Sequence, residues 1–275
     1  MRHIILYIVI FSTNIFAQDF LQQQLDEADL LFNSGKYYDA ITEYKRLQFF
    51  DDQNIFTYET SYKIALCYKA GAKFDDAVKY FTLAENNTDE YKDIYECKTQ
   101  IIRANILRRT TDRAHQLLDE LEINPRFFYK KMDILYWRGW TYMFADKWEE
   151  AAKTFGKIKP DHQLKIIAEN VESNKYSITV AKIISFILPG SGQVYTGNYL
   201  SGLISFGWNV LFGYLTIDAW NSDRMFDGFA IGSLLWMRFY RGSVQNAERF
   251  AIEKNLEIAN ETLRYLQNSY KGLKP

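Results

Sequence analysis

Residues 34–44 read SGKYYDAITEY, and this short stretch decides the fold because the same pattern of small, charged and aromatic residues recurs along the chain. It reappears as GAKFDDAVKYF at residues 71–81 and as ADKWEEAAKTF at residues 145–155. The central alanines of the three stretches, with a fourth between them, are spaced by 37 residues at every step: Ala40, Ala77, Ala114 and Ala151. A fixed period of this length predicts one supersecondary unit stacked four times.

Each unit divides into two amphipathic helices joined by a short turn. Apolar residues recur at helical spacing on both sides of the turn; in the second unit Tyr68 precedes it, and Phe74 and Phe81 follow it. This spacing is typical of a helix with one buried face. The third unit keeps the frame without aromatic rings, through Thr111 and Leu118. The sequence therefore predicts an all-α repeat solenoid of four helix-turn-helix units.

Residues 20–160 resemble the tetratricopeptide repeat family, whose order of Gly or Ala, Tyr, aromatic, Ala, aromatic is met in units one, two and four. The resemblance implies a right-handed solenoid, although the family's unit is usually 34 residues long. It also implies that the first helix of each pair lines a groove for a protein or peptide partner. The groove positions carried over from the family are Phe32, Tyr62, Leu66, Arg103, Tyr136, Trp140 and Phe144. The alternative is that these rings pack against the next helix or the C-terminal domain.

The charge balance argues against nucleic-acid binding. Lys and Arg number 33 against 34 Asp and Glu, which gives a formal net charge of −1. Nucleic-acid binding proteins normally carry a clustered excess of cations. The two cysteines, Cys67 and Cys97, fall too far apart on neighbouring helices for a disulfide, so we expect two separate buried thiols.

Signatures of catalysis are lacking in the sequence. The histidines His3, His115 and His162 are scattered without metal-ligand spacing, and no nucleophile motif is present. The glycines at 190–197 do not fit a dinucleotide loop, and Asn198 and Tyr199 stand where a phosphate loop needs Lys and Ser or Thr. We expect no enzyme, no cofactor, no metal and no nucleotide.

The N-terminus predicts a signal peptide at residues 1–17. A short basic start precedes the apolar run IILYIVIFSTNIFA, which ends at the small residue Ala17. This is the order of a secretory signal with its cleavage site. The alternative is an uncleaved anchor helix.

The composition changes after the repeats. Residues 161–177 predict a capping helix and linker, residues 178–240 a membrane-associated helical hairpin, and residues 241–275 an amphipathic helix. A helix from Leu200 to Trp220 would be about 31 Å long, enough to cross a hydrocarbon core. The alternative is a buried soluble hairpin, which Asp218 and the shortness of the second apolar run support.

A glycine-rich motif precedes the first apolar helix. Residues 178–255 resemble a family of small bacterial membrane domains with the pattern P-G-x-G-Q-x-Y-x-G, for which no activity is carried over. Its motif residues here are Pro189, Gly190, Gly192, Gln193, Tyr195, Gly197 and Gly202, to which we add Asn209 on the small, polar face of the apolar helix. We expect the glycines to permit a tight turn and the Gln193 amide to satisfy backbone groups freed there.

Two functions follow as hypotheses. The first is a non-enzymatic scaffold of a bacterial cell envelope, exported and anchored in the inner membrane, with the repeats in the periplasm. The second makes the membrane domain the active part, in insertion or transport, with the repeats as a docking arm. The expected partners are a protein or peptide and membrane lipid. Arg224 in the hairpin turn favours a cytoplasmic turn and hence periplasmic repeats.

Overall fold

The computed structural model describes residues 20–275, so the predicted signal peptide at residues 1–17 lies outside the described residues. Every regular element in the described range is helical, and none is a strand. The all-α class predicted from the sequence is confirmed. The chain divides into two compact units, the first reaching Ala168 and the second running from Glu169 to Lys274.

The first unit consists of helix pairs in chain order. The first helices are α1 (residues 20–33), α3 (Thr57–Ala70), α5 (Tyr91–Leu107) and α7 (Lys131–Phe144), and the second helices are α2 (Tyr37–Phe50), α4 (Phe74–Glu85), α6 (Thr111–Ile123) and α8 (Trp148–Ile158). From α2 to α8, each helix packs against its neighbour in sequence. A 3-10 segment (Pro125–Lys130) leads into α7, and α9 (Gln163–Asn174) contains the boundary to the second unit.

The same turn joins the helices of all four pairs. The second residue after each first helix has a positive φ, so that the turns repeat with the period of the sequence; these residues are Gly35, Ala72, Arg109 and Asp146. In each turn the following N–H donates to the carbonyl five residues back, as from Lys73 to Tyr68 at 2.9 Å. This is the Schellman arrangement, which satisfies the last carbonyls of a helix. Ala72 and Arg109 adopt it without being glycine, at a cost of roughly 1 kcal/mol each.

Small residues mark the places where the helices of a pair approach most closely. The four alanines of the 37-residue period are all fully buried. In the last pair, a Cβ added to Gly139 of α7 would lie 2.5 Å from the ring of Phe155 in α8. A larger residue at these positions would separate the helices, so the period of small residues in the sequence has a steric cause.

The second unit contains a short helix, a tight turn and a helical hairpin. Its helices are α10 (Ile178–Ile187), α11 (Ser191–Tyr195), α12 (Tyr199–Asn221), α13 (Met225–Ala230), a π-helical segment (Ile231–Trp236) and α14 (Met237–Ser269). The helix α12 packs against α13, the π segment and α14, while α10 packs along α14.

No loop separates the predicted hairpin from the predicted tail helix. The sequence divides these segments at residue 240, but α13, the π segment and α14 follow one another without a break from Met225 to Ser269. The change from apolar to mixed composition at Arg238 and Arg241 does not interrupt the helix. Propensity alone therefore does not end the helix there.

Candidate functional site

Side chains of α3 and α5, two of the first helices, form a polar cluster. We define this groove cluster as Tyr62, Lys69, Glu96, Gln100 and Arg103. The Tyr62 hydroxyl donates to Glu96 Oε1 at 3.0 Å, and Lys69 Nζ donates to Gln100 Oε1 at 3.0 Å. Gln100 Nε2 in turn donates to Glu96 Oε1 at 2.9 Å. The predicted groove residue Tyr62 thus belongs to this hydrogen-bonded network, and the predicted groove residue Arg103 interacts electrostatically with Glu96 and Tyr62.

The electrostatics of the groove cluster are set by burial. Burial, with a smaller contribution from repulsion by Arg103, lowers the pKa of Lys69 to about 7, while Glu96 opposes the shift. Burial also lowers the pKa of Arg103, with Glu96 and Tyr62 opposing. Lys69 is therefore divided between its charged and neutral forms near neutral pH. An anionic group entering the cluster would favour the charged form, because an opposite charge stabilises a cation.

The aromatic members of the predicted groove are packed mainly within the first unit. Trp140 is only 2% exposed, which leaves almost none of its ring for a ligand. Tyr136 packs edge-on against Phe155, with ring centroids 5.9 Å apart, and keeps part of its surface. The Arg103 guanidinium lies 5.0 Å from the centroid of Trp137, a ring that the sequence analysis did not select.

The remaining predicted groove residues lie apart from the groove cluster or at its edge. Phe32 of α1 meets the Tyr37 ring at 5.8 Å and the Lys63 ammonium at 5.2 Å. Leu66 of α3 is half-buried, as is Phe144 of α7, whose ring lies 6.3 Å from that of Trp140. The seven positions therefore do not form a single continuous ring surface.

In the second unit, the glycine motif forms a turn held by two serines. The Gly190 N–H donates to Ser243 Oγ at 2.9 Å, and the Gly192 N–H donates to Ser185 Oγ at 2.9 Å. The fully buried Gln193 side chain bonds both serines, accepting from Ser185 Oγ at 3.1 Å and donating to the Ser243 carbonyl at 3.0 Å. The serines satisfy the freed backbone groups directly, and Gln193 orients the serines.

Ser185 and Ser243 are not among the predicted motif residues, although the sequence carries a signal for each. Ser185 is the one polar residue in the run IISFIL, and Ser243 begins a stripe of small residues with Ala247 and Ala251. All four are buried, and the two alanines form a small core with Ala181 of α10. The stripe marks the face of α14 against which the motif packs.

Close backbone approach explains three motif glycines. Gly190 has φ +96, and a Cβ there would lie 2.3 Å from the Gly202 carbonyl of α12. A Cβ on Gly192 would lie 2.3 Å from the Ala181 carbonyl of α10, and one on Gly202 2.7 Å from Val194. Gly197 has φ +80 and open space around it, so its role is the left-handed turn that ends α11.

Tyr195 and Asn209 complete the predicted motif residues. The Tyr195 hydroxyl accepts the Ser177 N–H at 3.2 Å, and its ring meets Tyr176 edge-on at 5.3 Å. Asn209 is buried in α12 and donates to the Ser205 carbonyl at 2.8 Å. Each therefore has a structural partner within the second unit.

An apolar cavity of about 330 Å³ lies beside the motif turn. It is lined by Leu188, Pro189, Gly190, Ser191, Val194, Tyr199, Gly202, Leu203 and Phe206. The half-buried Pro189 contributes to its wall, and most of the other walls are aliphatic or aromatic. Such a lining fits an apolar group and offers little to a polar one.

One described helix, α12, is long and apolar enough to cross a membrane, with a mean hydropathy of 1.4. Only 11% of its most apolar window is buried. At the turn that follows, Arg224 is bound to Asp218 at 3.1 Å and lies 3.8 Å from Asp227. The cation in the turn is thus surrounded by carboxylates.

The sulfur and metal chemistry of the described residues is limited. Cys67 and Cys97 are both free and buried, which confirms the expectation of separate thiols. Burial raises the pKa of Cys67 to about 11 and of Cys97 to about 12, so both remain protonated near neutral pH. Among residues 20–275 no group of three or more His, Cys, Asp or Glu is placed to hold a metal ion.

Comparison with protein-family models, curated proteins and solved structures finds no match to this chain.

Proposed function

We propose that this protein is a non-enzymatic scaffold of a bacterial cell envelope. It binds a protein or peptide through a tetratricopeptide-like solenoid and is held in the membrane by its C-terminal hairpin. The observation that carries the proposal is the exposed apolar surface of α12. A core helix of a soluble protein would hide such side chains, whereas Leu200, Leu203 and Ile217 each expose more than half of their surface.

The length of α12 supports membrane crossing. Its 23 residues span about 34 Å, slightly more than the hydrocarbon core of about 30 Å. The partner helix packs on it through small residues, since a Cβ on Gly228 would lie 2.4 Å from the Trp220 ring. Close packing of this kind substitutes for the hydrophobic effect between helices in lipid.

The groove cluster supports partner binding by the first unit. It combines two cations and one carboxylate with aromatic rings on a face built from the first helices. Such a surface can hold a peptide by ring contact and by charge-assisted hydrogen bonds. Leu66, half-buried in α3, lies between Tyr62 and Lys69 in the sequence and gives a site for a crosslinking probe.

The experiment is crosslinking in native membranes with the full chain. A photoreactive amino acid replaces Leu66 in one variant and Lys79, an exposed residue of α4, in the control. We expect a specific adduct from position 66, weakened by Lys69→Gln, and none from position 79. Equal adducts from both positions, or none from either, would refute partner binding by this face.

Membrane anchoring is tested separately by alkaline extraction and flotation of the full chain. We expect the protein to stay with the lipid, and release into the soluble fraction would refute the anchor. Orientation follows from labelling Ser222→Cys in the turn and Lys271→Cys in the tail with an impermeant maleimide on spheroplasts. The proposed arrangement predicts that only the tail is labelled.

The orientation is a sharp test because two signals disagree. The N-terminal apolar run favours exported repeats. Arg224 in the turn, taken alone, agrees with that orientation, but it is outnumbered by Lys182, Arg238 and Arg241 near the other end of the hairpin. The full set of flanking cations therefore favours cytoplasmic repeats. Labelling of the turn alone would place the repeats in the cytoplasm and remove export from the proposal.

The second candidate function, a membrane domain active in insertion or transport, is favoured by the cavity beside the motif turn. It predicts that filling the cavity with Leu203→Trp abolishes complementation of a deletion strain, while the adduct at position 66 persists. The scaffold proposal predicts that complementation follows Lys69→Gln instead.

A further inference from the structure

The loop between α6 and α7 is held in a fixed conformation by its own sequence. The Asn124 side chain accepts the Arg126 N–H at 3.1 Å and caps the 3-10 segment. Phe127 is buried, and its ring lies 5.4 Å from that of Tyr95 in α5. One aromatic residue thus anchors the segment, and the residues that follow it are turned away from the core.

The apolar side chains around this anchor are exposed. Ile123 is 78% exposed, Phe128 70%, Tyr129 69% and Met132 54%. They lie within ten residues of the chain, on both sides of the buried Phe127. Covering these side chains with a binding partner would contribute roughly 1.5–3 kcal/mol for each large side chain that is fully removed from water.

Basic residues accompany these apolar side chains. Arg126 lies over the Tyr91 ring at 4.4 Å, and Lys131 is exposed. Within the part of the chain that the structure describes, no carboxylate lies within 4.0 Å of either residue. The nearby acids are paired with other cations: Asp119 and Glu122 of α6 are both bound by Arg138 at 2.7 Å, and Asp133 lies 3.4 Å from Lys130. Arg126 and Lys131 are therefore the cations beside these apolar side chains that have no acidic partner among the described residues.

We propose that this aromatic-basic patch, defined as Ile123, Arg126, Phe128, Tyr129, Lys131 and Met132, binds an anionic phospholipid surface. The apolar and aromatic side chains enter the interface between headgroups and acyl chains, while Arg126 and Lys131 stay at the phosphates. Aromatic residues favour this depth, and basic residues are attracted by anionic lipid. The contact is separate from the hairpin and does not require α12 to span a membrane.

Charge decides between lipid and protein as the occupant. A protein partner would need carboxylates placed opposite Arg126 and Lys131, whereas an anionic bilayer presents negative charge at every lateral position. Arg126, Phe128 and Tyr129 belong to the 3-10 segment, and all three are exposed. Ile123, Lys131 and Met132 lie at the adjoining ends of α6 and α7. An anchored protein would be held near a bilayer at high effective concentration, so even a weak contact would be occupied.

The experiment uses the full chain in nanodiscs of phosphatidylcholine, offered to vesicles as a second membrane. The probe is an environment-sensitive fluorophore on Met132→Cys, with the same fluorophore on Leu30→Cys, an exposed residue of α1, as the control. Vesicles contain phosphatidylcholine alone or mixed with phosphatidylglycerol. Nanodiscs that themselves contain phosphatidylglycerol report contact with the protein's own membrane.

We expect a blue shift at position 132 and not at position 30, only with phosphatidylglycerol, in one arrangement or both. Replacing Arg126 and Lys131 with Gln should weaken vesicle binding about 25-fold, since each basic residue near the surface contributes roughly fivefold. Phe128→Ser with Tyr129→Ser should weaken it at least about tenfold. Thermal unfolding of each variant checks that the fold is retained.

Several outcomes would overturn the proposal. These are no shift with phosphatidylglycerol in either arrangement, an equal shift with both lipid compositions, or a shift produced by added protein and not by lipid. Failure of the hairpin to hold the chain in nanodiscs would count against the proposed anchor, but vesicle binding by the soluble chain would still support the patch.

Discussion

Replacing Gly192 with Ala should destabilise the second unit, whereas the same replacement at Gly207 should not. Gly192 is buried where α11 meets α10 and α14. Its new Cβ would lie 2.3 Å from the Ala181 carbonyl, 2.5 Å from Ser185 Oγ and 2.6 Å from Ala247 Cβ. Gly207 lies inside α12 with nothing within 4 Å of the corresponding position.

The magnitude follows from the atoms that must move. Overpacking of this kind costs about 1–3 kcal/mol, and the nearest atom is a backbone carbonyl that cannot rotate away. Separating the helices also weakens the bond from the Gly192 N–H to Ser185 Oγ, worth about 1 kcal/mol. The gain in helix propensity offsets about 0.5–1 kcal/mol. We therefore expect a net loss of roughly 1–3 kcal/mol for Gly192→Ala, and a small gain for Gly207→Ala.

The assay is denaturant unfolding of the full chain in detergent micelles, followed through tryptophan fluorescence. Four of the six tryptophans belong to unit one or to the tip of the hairpin, and their fluorescence does not report on the motif turn. Protection of the motif turn from protease is therefore measured in parallel. A Gly192→Ala protein as stable as Gly207→Ala, with equal protection, would refute the close packing of α11 on α10 and α14.

Three further predictions concern both units. The free energy of unfolding of the first unit should rise with pH between about 7 and 10.5, because Lys69 has a pKa of about 7 in the folded state and binds its proton more strongly when unfolded. Urea unfolding measured across this pH range should show the rise, and the Lys69→Gln variant should lack it. Ala72→Gly should raise stability by up to about 1 kcal/mol in thermal unfolding because φ is positive there, whereas Ala70→Gly, at the helical end of α3, should lower it. Ile204→Lys in α12 should reduce membrane integration by about 3 kcal/mol in an insertion assay, and Asn221→Lys at the helix end should have little effect.

The helices of the first unit and the turns between them were the most predictable part of the structure because their signal is local. An alanine recurs every 37 positions, and in three of the four units an aromatic residue follows it four positions later. The period is therefore recognisable although the third unit has a leucine in place of the aromatic residue. The turns show why that unit keeps the frame: Arg109 takes the left-handed conformation that Gly35 takes in the first. The hydrogen bonds of the turn, and not the aromatic rings, are common to all four pairs.

The candidate sites were less predictable because they depend on contacts between distant residues. Ser243 lies 53 positions from Gly190, and no local pattern indicates that the serine bonds the glycine. Trp140 resembled a ligand-binding ring in the sequence, but its burial depends on how α7 meets its neighbours. Lys69 and Gln100 come from successive repeats, and their pairing follows only from the way α3 and α5 pack.

The unbroken helix from Met225 to Ser269 gives the second unit the mechanical character of a lever. Its α14 portion of 33 residues extends about 50 Å beyond the π-helical segment. A tilt of about 5° at that segment would displace the far end by roughly 4 Å, given this length. Because α10 packs along α14, a rearrangement between α12 and the π segment would have to move α10 together with α14, and its largest displacement would fall at Ser269.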